Sequence, residues 1–127
     1  MDQNLERART LIREIPDYPL PGIRFQDLTP LLADGQAFSA VTRHLEPLGQ
    51  GCDVIAGIEA RGFIFASALA HALGVGFVPI RKAGKLIERL GASLVGMAVI
   101  IEIVELSGRV NFTQTFPGRT LTSIFSI

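Results

Sequence analysis

The stretch Asp53-Val54-Ile55-Ala56-Gly57-Ile58-Glu59-Ala60-Arg61-Gly62 decides the fold. An apolar run ends in a short turn that carries an acid, an arginine and a glycine. From Phe63 to Leu73 apolar residues return at helical spacing, and Gly74 stops them. A short continuous apolar run is what a buried parallel strand needs, because helices cover both faces of its sheet. Gly76-Phe77-Val78-Pro79-Ile80 reads as a second such strand. Pro79 puts it at an end or an edge, since proline cannot donate to a ladder. Strand, helix, strand predicts an α/β fold with a mainly parallel, three-layer sheet.

Further along, Leu86 to Leu90 resembles the last turns of a helix closed by Gly91. Leu94 to Ile103 is the most strand-like segment. Glu105 to Arg119 reads as polar and turn-rich, with Phe116-Pro117-Gly118-Arg119 a plain turn. Leu121 to Ile127 makes a final short strand. Towards the N-terminus, Leu5, Ala8, Leu11, Ile12 and Ile15 predict a helix that ends at Ile15-Pro16. Pro16 to Gly22 is too proline-rich for helix or central strand and should be an ordered, extended loop. Thr29 reads as a helix N-cap with Pro30 at the first helical position. Asp34 caps a second helix, in which Phe38, Val41, Leu45 and Leu48 share one face. One domain is expected over residues 1–127.

Lys+Arg and Asp+Glu both number 12, so a strongly basic nucleic-acid binder is not indicated. Hydrophobic residues make up 48% and charged residues 19%. That balance suits a well-buried sheet or an apolar face covered by a partner. The single cysteine, Cys52, excludes an internal disulfide, and no nearby base activates it. The longest apolar stretch, Leu94 to Ile103, falls short of the roughly 20 residues that span a bilayer. The expectation is a cytoplasmic protein with neither membrane nor nucleic acid as partner.

In an open α/β sheet, ligands bind beyond the carboxyl ends of the strands. The first such end carries Glu59 to Gly62 and opens a helix, whose N-terminus offers N–H groups and partial positive charge. The second carries Arg81, Lys82 and Lys85 around Gly84, and both lysines of the chain lie there. Right-handed crossover puts the two loops on one sheet edge. With Arg61 they make a pocket for a phosphate or pyrophosphate. The same run also reads as a solvated basic turn. Leu20 to Asp27 is a second constellation, in which a rigid proline–glycine segment delivers Phe25. That ring could stack on a flat heterocycle or simply plug the core. His44 and His71 lack acidic partners at ligand or triad spacing, so surface or helix-end roles suit them. Glu102 and Glu105 are best read as one residue ending a strand and one in solvent.

Several segments carry a specific resemblance. Ile15 to Leu32 resembles the N-terminal signature of the adenine phosphoribosyltransferase family. Ala56 to Phe65 and Ile80 to Leu86 match that family in order, as does Leu86 to Ala92 running into Glu102 and Leu106 to Arg109. The resemblance implies a type I phosphoribosyltransferase fold and transfer of a phosphoribosyl group from phosphoribosyl pyrophosphate to adenine. The products are AMP and pyrophosphate, in purine salvage, with Mg²⁺, by a homodimer. It implies that Arg61, Arg81, Lys82 and Lys85 hold pyrophosphate and that Phe25 stacks on adenine. Backbone groups of Arg24 and Gln26 would read the base edge, and Leu106 would close the opposite face.

The resemblance also implies a shortening. Family members carry several dozen more residues where this chain runs Lys85-Leu86-Ile87. Those residues include a hood with a Tyr and a Glu, and a central strand ending in two acids before Ala-Thr-Gly-Gly-Thr. No Asp-Asp and no Gly-Gly occurs in the 127 residues. No catalytic residue is identifiable, and the chain as written is expected to be inactive or nearly so. The alternative is a non-catalytic remnant that binds adenine or AMP, or pairs with a full-length subunit.

Overall fold

A computed structural model of the chain describes residues 2–81, 91, 93–102 and 106–127. The chain divides into two compact units, Met1–His44 and Leu45–Ile127.

In the first unit, α1 spans Gln3–Thr10, and the Asp2 carboxylate caps it by accepting from the Asn4 N–H at 2.8 Å. Leu5 and Ala8 are its buried residues. The helix stops five residues before the expected Ile15. Arg13–Ile15 is instead a strand, β1, paired antiparallel with β2, Phe25–Asp27. Strand pairing satisfies backbone groups that a last helical turn before Pro16 would leave without partners. The expected ordered loop lies between them. Its Tyr18 N–H donates to the Ile23 carbonyl at 3.1 Å, and the Asp17 carboxylate accepts from the Gly22 N–H at 2.8 Å.

Helix α2 spans Thr29–Ala33 with Leu28, not Thr29, at the N-cap. The Thr29 hydroxyl and N–H both donate to Asp27, so this carboxylate does the work expected of the threonine. Helix α3 spans Gly35–Gly49, and Asp34 caps it as expected, accepting from the Ala37 N–H at 3.0 Å. Its buried stripe is Ala37, Ala40, Val41 and Leu45. Phe38, on the flank of that stripe, is half-buried, and Leu48 in the final turn is exposed.

In the second unit, β3 (Val54–Ile58) and β4 (Gly76–Ile80) pair parallel, from Val54 opposite Gly76 to Ile58 opposite Ile80. Helix α4, Arg61–Leu73, connects them and ends at Gly74, whose φ of 69° is the left-handed conformation glycine adopts without strain. Phe65, Ala66, Leu69, Ala70 and Ile80 are buried. The expectation that β3 is fully buried is corrected. Val54 and Ile58 are 41% and 37% exposed, because β4 is its only strand partner among the described residues.

A second parallel pair joins β5 (Gly96–Glu102) to β6 (Thr120–Ser126). Between them Gly108–Thr115 forms helix α5, where the sequence reading expected turns. Phe112 is buried and its ring lies 5.3 Å from that of Phe116, four residues on. The Thr113 and Thr115 hydroxyls donate to carbonyls one turn back. The aromatic i, i+4 pair supports the helix, and the threonine hydroxyls satisfy their own hydrogen bonds on its carbonyls. The turn at Phe116 to Arg119 is present as expected, closed by the Arg119 N–H on the Phe116 carbonyl. The α/β class with parallel strands is therefore correct. Among the described residues the strands form three two-stranded sheets and no ladder joins them. The expected helix end at Leu86 to Leu90, and also Ile103 and Glu105, lie outside the described residues. No described helix is long and apolar enough to cross a membrane.

Candidate functional site

The turn after β3 is built by close backbone packing. A Cβ on Gly57 would sit 2.6 Å from the Gly62 carbonyl oxygen and 2.7 Å from the Ala66 Cβ. Only glycine lets the first turn of α4 approach the strand this closely. The Glu59–Ala60 peptide is cis, and the Glu59 N–H donates to the Ile80 carbonyl at 2.9 Å, tying this turn to the end of β4. Arg61 opens α4, no side chain caps that helix start, and Arg81 follows directly after Ile80. Both arginines are exposed. Because β3 and β4 are parallel and in register, Arg61 and Arg81 stand past the carboxyl ends of neighbouring strands. Two guanidiniums beside a helix N-terminus make an environment for an anion. Lys82 and Lys85, expected in the same pocket, lie outside the described residues.

The second set is in the first unit. Phe25 is half-buried, and its ring meets Tyr18 edge-on, with centroids 5.2 Å apart and planes at 75°. Arg24 precedes β2 with an exposed side chain 3.6 Å from Glu14, and Gln26 follows Phe25 opposite Glu14 in the ladder. Asp27 anchors the segment. Its buried carboxylate accepts from the Thr29 hydroxyl at 2.6 Å, the Thr29 N–H at 2.9 Å and the Arg13 Nε at 3.1 Å.

The hydrogen bonds from Thr29, then that from Arg13, hold the Asp27 carboxyl down at about 2. This lies below the unfolded value near 3.9, so its stabilisation is complete above that value and is lost as pH falls from about 4 towards 2. Asp34, held down first by the Ala37 N–H, and Glu102, held down first by Arg109, act in the same direction. Thermal melts between pH 6 and pH 2 will show the parent losing stability faster than Asp27→Asn. Parallel curves would remove Asp27 from this role.

Leu106 is 70% exposed and precedes Ser107, whose φ of 53° leads into α5. Arg109 fastens this helix to both strands of the second pair. Its Nε and Nη2 donate to the Glu102 carboxylate at 3.0 and 2.6 Å, and its Nη1 donates to the Leu121 carbonyl at 2.7 Å. Glu102 ends β5 as expected and is ion-paired. Sequence reasoning missed Arg13, Asp27, Tyr18 and Arg109 as anchors. An Asp two residues before Thr-Pro is a readable capping signal, whereas nothing in the sequence pairs Glu102 with Arg109. His44 and His71 are exposed, and the Cys52 thiol is free and half-buried. No three carboxylate, imidazole or thiol groups cluster as a metal site among the described residues.

No family model matches the chain. It is 48% identical over 100 residues to adenine phosphoribosyltransferase of Erythrobacter litoralis, a match that covers 77% of this chain and 54% of that protein. The chain spans about half the length of the curated relatives it matches. A crystal structure of adenine phosphoribosyltransferase from Giardia lamblia, complexed with 9-deazaadenine, superposes with a TM-score of 0.84 at 26% identity over 99% of both chains. The crystal structure of the enzyme from Thermoanaerobacter pseudethanolicus superposes with a TM-score of 0.84 at 30% identity, over 97% of this chain and 99% of that one. Similarity of sequence and of backbone path, carried across the whole of a solved relative, places the chain in the type I phosphoribosyltransferase fold, and it belongs to the adenine phosphoribosyltransferase family.

Proposed function

We propose that this chain carries the base-binding and pyrophosphate-binding parts of an enzyme that makes AMP. The reaction moves the phosphoribosyl group of phosphoribosyl pyrophosphate to N9 of adenine. The new bond from ribose C1 to N9 forms as the bond from C1 to the pyrophosphate oxygen breaks, and the N9 proton is released. Negative charge collects on the leaving pyrophosphate, so cations and N–H groups must meet it. The observation that carries the reading is the pairing of β3 with β4, which sets Arg61 and Arg81 at one sheet edge beside the start of α4. Lys82 and Lys85 extend the same cation set in sequence. On the base side Phe25 stacks on adenine, and backbone groups of Arg24 and Gln26 read its edge. The Giardia relative was solved with 9-deazaadenine, an adenine analogue, which supports an adenine-type base as the ligand.

Magnesium belongs to this reading as an ion brought by phosphoribosyl pyrophosphate. The described residues offer no cluster that fits a protein-held metal, so no step is assigned to one. The reading further includes a cytoplasmic homodimer, for which exposed Val54, Ile58 and Ile64 supply apolar surface.

Calorimetry with adenine and with pyrophosphate tests the assignment. Arg61→Gln and Arg81→Gln each weaken pyrophosphate about tenfold, as expected for charge-assisted hydrogen bonds, and leave adenine unchanged. Phe25→Ala weakens adenine by roughly 5- to 100-fold, the range of a lost aromatic stacking contact, and leaves pyrophosphate unchanged. Absence of this crossed pattern would overturn the reading.

A further inference from the structure

We propose that Tyr18 is a positioning residue for the base: its edge-on contact sets the tilt of Phe25 and so the plane in which adenine stacks. This rests on the assignment of Phe25 to the base site. Tyr18 is 53% exposed, so its ring contributes little to the core, yet its backbone is held firmly. Its N–H bonds to the Ile23 carbonyl, the Ile23 N–H bonds to the Leu20 carbonyl, and Asp17 holds the Gly22 N–H. A cinched loop therefore carries the tyrosine to a fixed place, where its ring stands at 75° to Phe25 with centroids 5.2 Å apart.

Rings in this arrangement attract, because the positive edge of one meets the negative face of the other. A ring at so steep an angle can meet only one face of Phe25, whichever of the two supplies the edge. At least one face is left uncovered by Tyr18, and a flat base laid there takes the tilt that Tyr18 imposes. Backbone donors and acceptors beside Phe25 can read the base edge only while that plane is kept, since hydrogen bonds weaken steeply as they bend. Phe25 is the first residue of β2, and the backbone before it is irregular.

The test compares Tyr18→Phe, which keeps the ring, with Tyr18→Leu, which removes it. Tyr18→Leu should weaken adenine about fivefold, the size of one aromatic pair, with pyrophosphate affinity unchanged and the melting temperature lowered by no more than a few degrees. Tyr18→Phe should bind adenine as the parent does. In a Phe25→Ala background the Tyr18→Leu effect should vanish, as coupling through the ring requires. Unchanged adenine affinity in Tyr18→Leu, alongside a loss in Phe25→Ala, overturns the inference and leaves the base site standing. Unchanged affinity in Phe25→Ala overturns both.

Discussion

The 127-residue chain will form AMP from adenine and phosphoribosyl pyrophosphate at least about 10³-fold more slowly than its Erythrobacter litoralis relative, while still binding adenine and pyrophosphate. On the proposed assignment, its own residues account for the two binding functions. Nothing in the sequence supplies the acidic pair or the Ala-Thr-Gly-Gly-Thr cradle that the family resemblance implies beyond Lys85. Without a cradle for the 5′-phosphate, the ribose is not held in line between base and leaving group, and positioning of reactants is a large part of catalysis. Inserting the relative's intervening segment between Lys85 and Leu86 should restore turnover. A steady-state assay decides the matter, and robust turnover by the 127-residue chain would overturn it.

Gly57→Ala will destabilise the second unit by about 1–3 kcal/mol, the usual effect of forcing a methyl group into a packed site. The melting temperature should fall by several degrees. The added Cβ would lie 2.6 Å from a backbone oxygen of Gly62, which cannot swing aside as a flexible side chain can. Relief requires the start of α4 to move off β3, and Arg61 moves with it. Pyrophosphate affinity should therefore fall with stability, while adenine affinity stays. Gly62→Ala is the control. Its Cβ would meet nothing nearer than 3.6 Å, and alanine favours a helix, so its melting temperature should hold or rise. Equal melting temperatures for Gly57→Ala and the parent would refute the close-packing account.

The candidate anion-binding edge was legible because its signals are local. An apolar run, a glycine and a helix period place Arg61 at a strand-to-helix turn, and the strand after the helix places Arg81 beside it. The turn at Gly118, the caps at Asp34 and Gly74, and the placement of β6 were legible for the same reason. The misses lie where distant residues compete with local preference. Arg13 to Ile15 has helical spacing but takes β2 as a partner fourteen or fewer residues away in the ladder with Asp27, Gln26 and Phe25. Residues 108–115 look like loop until Phe112 is buried and Arg109 is fastened to Glu102 and Leu121.

By itself, the sequence determined the class of fold, the family, the cations around Arg61 and Arg81, and the aromatic at Phe25, because short-range pattern and residue chemistry carry all of these. Only the tertiary structure decided how those groups are held. It showed that Gly57 must be glycine, that Asp27 rather than Thr29 anchors the segment that carries Phe25, and that Tyr18 stands against Phe25. It also showed that β3 is left half exposed. Each of these depends on which atoms the folded chain brings within a few ångströms, and no spacing along the sequence records that.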